Sequence, residues 1–296
     1  MKRLIFGVAA SALMAIGAAS AADMVPVYKA PPVAAPGYDW TGFYIGANGG
    51  YGWRDPSIDF SGNTAAEATY FASGALSRGV AVDPKGFLGG LQAGYNQQLG
   101  RWVLGVEADL DYARIHDAGS AATGVGISPN QGACFVGLPC TVNTYQYNIS
   151  GEQKLDAFGT LRGRGGVVVG DRLLLFATGG LAFGEAKLAA AVTNTSGVAV
   201  TTLNNAIIAG PNLLPGSCFD ICATGLASQW LVGWTIGGGF EYGLDDRWSI
   251  KAEYLYYDLG RLSVAFSDPH FAPYSFNASA DYAGHIARVG VNFKLH

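Results

Sequence analysis

Charged residues make up only 14% of this 296-residue chain, and many of them recur at every second position. Glu107, Asp109 and Asp111 alternate with apolar residues in WVLGVEADLDY, as do Arg162 and Arg164 in TLRGRGG and Lys251 and Glu253 in SIKAEYLYY. Glu241, Arg288, Asn292 and Lys294 occupy equivalent alternating positions farther along. A period of two places each set on one face of a β-strand. Carboxylates and cations collected on such faces must neutralise one another, because a buried charge without a partner is costly. Two kinds of chemistry fit. The first is a set of structural ion pairs filling an interior; the second, which asks more of the sequence, is an ion gate. Counted from the flanking turns, Glu107 and Asp109 should stand level with Arg164 and Arg162.

Other reactive residues are few. The four cysteines form two close couples, Cys134 with Cys140 and Cys218 with Cys222. In an exported chain these spacings predict local disulfides, although three pairings are possible and spacing alone leaves a cross-loop bridge open. They match no common zinc pattern, so no metal site is expected. Ser267, Asp268 and His270, with His116 and Asp117 elsewhere, contain the residue types of a nucleophile and base, but a triad is defined by geometry and this spacing is not diagnostic. No catalytic residue is therefore assigned and the expectation is a non-enzyme. No glycine run leads into a helix, which removes the phosphate-loop readings. The formal charge of -4 provides no basic footprint for nucleic acid. No cofactor is expected.

The elements that would position the charges are strands. With 43 glycines and 12% aromatic residues the chain favours an all-β fold. The clearest unit is the hairpin from Gly86 to Tyr112, whose two long strands meet at Gln98–Arg101 and carry Phe87, Tyr95, Trp102 and Tyr112 around aliphatic middles. That arrangement suits a lipid-facing wall with aromatic girdles. A first strand spans Trp40–Trp53; further strands follow at Leu155–Val167, Arg172–Gly184, Trp230–Tyr242, Trp248–Asp258 and Ala283–Leu295, giving eight. Short connections at Gln98–Arg101, Gly170–Arg172 and Gly243–Arg247 alternate with long ones at Arg54–Lys85, Ala113–Lys154, Glu185–Gln229 and Gly260–Asp281. Short periplasmic turns and long outer loops are the pattern of an outer-membrane barrel, whereas a soluble sandwich gives no reason for it. All six tryptophans, Trp40, Trp53, Trp102, Trp230, Trp234 and Trp248, fall near strand ends, where headgroup-level belts lie.

The expected organisation is a signal peptide over residues 1–22, a proline-rich periplasmic linker over 23–39, and an outer-membrane barrel over 40–296. Lys2 and Arg3 precede an apolar run from Leu4 that ends in small residues at Ala19–Ala22, as a Sec signal does. No later apolar run is long enough for a spanning helix, so the mature chain would cross a membrane as strands.

The segments WTGFYIGANGGYGW, LGGLQAGYNQQ, WVLGVEAD, LLLFATGGLAFG, VGWTIGGGFEYGL, WSIKAEYLYYDLG and ARVGVNFKL resemble the alphaproteobacterial outer-membrane β-barrel proteins. These are relatives of the OmpA-like transmembrane domain, often labelled porin family or surface antigen. The resemblance implies an eight-stranded antiparallel barrel in the bacterial outer membrane, abundant at the surface; haem binding has been attributed to some members. Its partners would be outer-membrane lipid, the barrel assembly machinery, and a host molecule or small ligand at the outer loops. Two functions are then in view: a structural surface barrel that supports the envelope and displays its loops, and a narrow channel for ions or small solutes. An interior packed with bulky charged side chains would argue for the first.

Overall fold

The computed structural model describes residues 37–54, 57–72, 74, 76–122, 126–127, 140–145, 147–194, 197–201, 207–211, 220–267 and 275–295. The expected signal peptide and most of the expected linker lie outside these residues. Eight long antiparallel strands follow one another: β1 Gly42–Arg54, β2 Lys85–Leu99, β3 Trp102–Ala122, β4 Tyr147–Val169, β5 Leu173–Asn194, β6 Asp220–Gly243, β7 Trp248–Ser267 and β8 Ser275–Lys294. Each pairs with the next, and β8 pairs back to β1 from Tyr44↔Lys294 to Arg54↔Gly284, so the sheet closes. Closure leaves the membrane-spanning wall without a sheet edge, which is the condition for crossing lipid as strands. No helix among the described residues is long and apolar enough to cross a membrane.

Alternation explains the wall. On β3, Trp102, Leu104, Val106, Leu110 and Tyr112 point outward and are exposed, while Val103, Glu107, Asp109 and Asp111 between them are buried. At about 3.3 Å per residue and the usual tilt, that apolar outer stripe covers a height of about 25 Å. Aromatic pairs mark both rims: Phe43–Tyr95 at 4.7 Å and Trp248–Phe293 at 5.0 Å below, Tyr51–Phe87 at 5.2 Å and Trp234–Tyr256 at 5.4 Å above. Just above the upper rim the outward positions turn polar, and Lys85, His116, Lys154 and Lys187 face one another in register across β2 to β5. The short turns are tight: Gly100 and Gly170 adopt φ of 63° and 67°, where a side chain would be strained. In the third short turn, Asp245 accepts the backbone N–H groups of Arg247 and Trp248 at 2.8 Å, which hold its carboxyl below the usual range.

Two findings depart from the sequence reading. First, the strands run well past the membrane band. β3 reaches Ala122 where a loop was expected from Ala113, β4 starts at Tyr147 and not Leu155, β5 continues to Asn194, and β7 and β8 meet near Ser267↔Ser275. A short strand, Ile58–Gly62, continues the line of β1 by pairing with β8 at Ala280–Phe276, and a helix at Ala65–Ala72 follows it. Small residues such as Ala118, Ser120, Ala189 and Ala191 occupy the outer face of these extensions, so the contrast between faces that identifies a lipid-facing strand is lost there. Second, Trp40 is no headgroup anchor. It is 2% exposed and packs inside the lower mouth, 4.5 Å from the Tyr38 ring, with its backbone N–H donated to Gln98.

Above Trp234↔Asp258 the β6–β7 ladder stops. Gly260, at φ 84°, and the irregularity between Asp258 and Arg261 turn β7 inward. Its Val264 and Phe266 then pack against bare Gly225 of β6.

Candidate functional site

The interior is stacked in three layers. At the lower mouth Tyr38, Trp40, Val103, Val168, Leu174 and Phe176 form an apolar plug. Tyr38, a residue of the expected linker, is seated where Gly243 lacks a side chain, and its burial pushes its hydroxyl up to about 12. The outer half is filled by a second apolar core that includes Ile58, Phe60, Phe158, Phe266, Phe276 and Ile286. Between them lies the ionic layer.

That layer is built from the inward positions of five strands. Arg162 donates to Glu107 at 2.6 Å, Asp109 at 3.0 Å and Glu253 at 2.9 Å, and its Nε donates to Thr160 at 2.8 Å. Thr160 in turn donates to Asp109. Arg288 reaches Glu253 at 2.6 Å, both oxygens of Asp109 at 3.0 Å and Asp111 at 2.8 Å. Lys251 donates to both oxygens of Glu107 at 2.8 Å and stands 3.3 Å from Glu253. Arg164 pairs with Glu241 at 2.7 Å and stacks 4.3 Å over the Phe176 ring, joining the ionic layer to the lower plug. Ser249 and Asn292 donate to Glu241 at 2.6 and 2.7 Å. Every one of these charged side chains is 5% exposed or less.

The arrangement refines the expected pairing. The β3–β4 register sets Glu107 opposite Arg162 and Gly105 opposite Arg164, one step from the heights counted from the turns. Arg162 therefore takes both Glu107 and Asp109, and Arg164 reaches Glu107 only at 3.6 Å. Room for these long side chains comes from inward glycines: a β-carbon on Gly105 would press on the Arg164 stem, and one on Gly94 would strike the Tyr44 ring. Tyr44, whose hydroxyl donates to Glu107 at 2.6 Å, was missed by sequence reasoning. Its signal was its place between outward Phe43 and Ile45, which alternation alone turns inward.

The remaining candidates do not assemble. His116 faces outward on β3, Asp117 accepts the Asp83 N–H at 2.7 Å, and Ser267 ends β7. Asp268 and His270 lie outside the described residues, as do Cys134 and Cys218; Cys140 and Cys222 are described only as strand backbone. A further histidine, His285, is outward, hydrogen-bonded to the Tyr254 hydroxyl at 2.6 Å and stacked on Trp53. Among the described residues no group of three His, Cys, Asp or Glu side chains is placed to hold a metal.

The sequence matches the family model of the outer membrane protein β-barrel domain over residues 8–294. The chain belongs to that family. This outer-membrane barrel is 33% identical over 293 residues to the 31 kDa outer-membrane immunogenic protein of Brucella melitensis, covering 97% of this chain and 98% of that one, and equally to its namesake in Brucella suis. Among solved structures it is similar to the outer membrane protein OprG of Pseudomonas aeruginosa, at 14% identity and a TM-score of 0.45 over 88% of this chain and 98% of the other. The outer-membrane barrel accordingly resides in the bacterial outer membrane.

Proposed function

We propose that this outer-membrane barrel is a closed structural surface protein, a rigid wall that supports the envelope and carries an elevated outer extension for contact with hosts or ligands. The observation that carries the reading is the filling of the interior from end to end, with an apolar plug, an ion-pair layer and an outer core in sequence. An eight-stranded circumference is only wide enough for side chains, so fully packed layers leave little for a solute path. The relatives' description as immunogenic supports exposure of the outer extension. A narrow channel would require the ionic layer and both apolar layers to rearrange together.

Exposure is tested with epitope insertions. A tag inserted at Gly126 is expected to bind antibody on intact cells, whereas one inserted at Asp246 should bind only after the outer membrane is permeabilised. The reverse pattern would invert the orientation and remove the surface role. A deletion strain should in addition become more sensitive to detergent and be rescued by the wild-type gene.

A further inference from the structure

One interior cation stands apart from the ionic layer. Arg54 ends β1, faces inward within the outer core and is 2% exposed. Its Nη2 donates to Gln153 Oε1 at 3.0 Å, and its guanidinium lies 4.4 Å over the Tyr282 ring. Its Nε and Nη1 have no hydrogen-bond partner of good geometry among the described residues, nor does Gln153 Nε2, and the Tyr257 hydroxyl faces the guanidinium without a well-formed bond. Gln153 and Tyr257 are fully buried. The groups are neighbours. Gln153 is bonded to the guanidinium, and a β-carbon on Gly284 would sit 2.6 Å from Arg54 Cγ and 3.1 Å from the Tyr257 oxygen, so both side chains flank the same bare backbone. The orientation of the Gln153 amide is fixed by Arg54, since the flipped form would set donor against donor.

Three of these atoms, Arg54 Nε, Arg54 Nη1 and Gln153 Nε2, can only donate, and the Tyr257 hydroxyl can donate or accept. A water molecule could accept from two of them, but it brings two hydrogens of its own and no charge to set against the buried guanidinium. An anion accepts every one of them and offsets the arginine charge. The interior totals are level without an anion, since Glu107, Asp109, Asp111, Glu241 and Glu253 are matched by Arg162, Arg164, Lys251, Arg288 and Arg54, but Arg54 meets none of those carboxylates in a salt bridge. Total neutrality supplies no hydrogen bonds to Arg54 itself.

We propose that Arg54, Tyr257 and Gln153 form a buried site for a small monovalent anion, of halide or simple-carboxylate size, that locks the outer core. The ligand acts as a structural part of the outer core. The test uses the full-length refolded barrel in detergent, scored by the heating midpoint at which its compact gel band is lost. At matched ionic strength, chloride or formate should raise the wild-type midpoint relative to gluconate and leave Arg54→Met unmoved. In gluconate, Arg54→Met should equal or exceed wild type, because the unpaired buried guanidinium donors are gone. Crystals soaked in bromide should give an anomalous peak within hydrogen-bond reach of Arg54. Equal anion dependence in both proteins, or no bromide at that position, would overturn the site and leave the donors to water. If Arg54→Met does not refold, Tyr257→Phe keeps the ring and removes one donor; it should need about tenfold more chloride for the same midpoint, the loss expected for one bond to a charged group. An unchanged requirement overturns the site equally.

Discussion

Replacing Arg162 with methionine is expected to destabilise the barrel by about 3–5 kcal/mol, the usual consequence of breaking a buried ion pair from one side. The side chain is fully buried and meets three carboxylates, so its loss strands Glu107, Asp109 and Glu253 with only Lys251 and Arg288 to share, along with the longer contact from Arg164. The heat-dependent gel shift should move to lower temperature. Adding Glu253→Gln to the same chain should recover part of the loss, since it lowers the negative charge by one and keeps the shape. If Arg162→Met behaves like wild type, the ion pairs do not hold the interior together, and additive effects in the double variant would show that the two residues are not coupled.

The second large effect concerns the outer core. The Phe266 and Phe276 rings pack at a tilt with centroids 5.8 Å apart, with Phe60 and Phe71 beside them. Truncating both to alanine should cost several kcal/mol, at about 3–5 for each buried aromatic ring. The damage should stay local: protease should now cut within residues 58–82 on intact cells, while the membrane ring remains folded and heat-modifiable. Collapse of the whole barrel would mean that the extension and the ring fold as one cooperative unit.

The membrane ring was legible in the sequence because lipid outside and ion pairs inside give each strand two chemically opposite faces. Glu107, Asp109, Arg162, Arg164, Glu241, Lys251, Glu253 and Arg288 could all be assigned inward on that contrast alone. Their partners could not, since pairing across the lumen depends on register and on how far each side chain reaches; Arg162 spans strands to Glu253, which no local spacing predicts. The extensions were read as loops for the same reason that the ring was read correctly. Above the lipid, water faces the outer wall, alanine and serine suffice there, and the alternation fades. Arg54 was lost within an expected loop, and Trp40 was placed by its distance from a strand start, which does not show that the chain turns back into the mouth.

The central claim is that the interior is closed. Its most direct test is conductance of the purified, refolded wild-type barrel in a planar lipid bilayer. The account predicts no steady current, with at most brief events that become more frequent when Arg162 and Arg164 are both replaced by alanine. A large, steady wild-type conductance that the double replacement leaves unchanged would contradict it, because the interior charges would then line an open path.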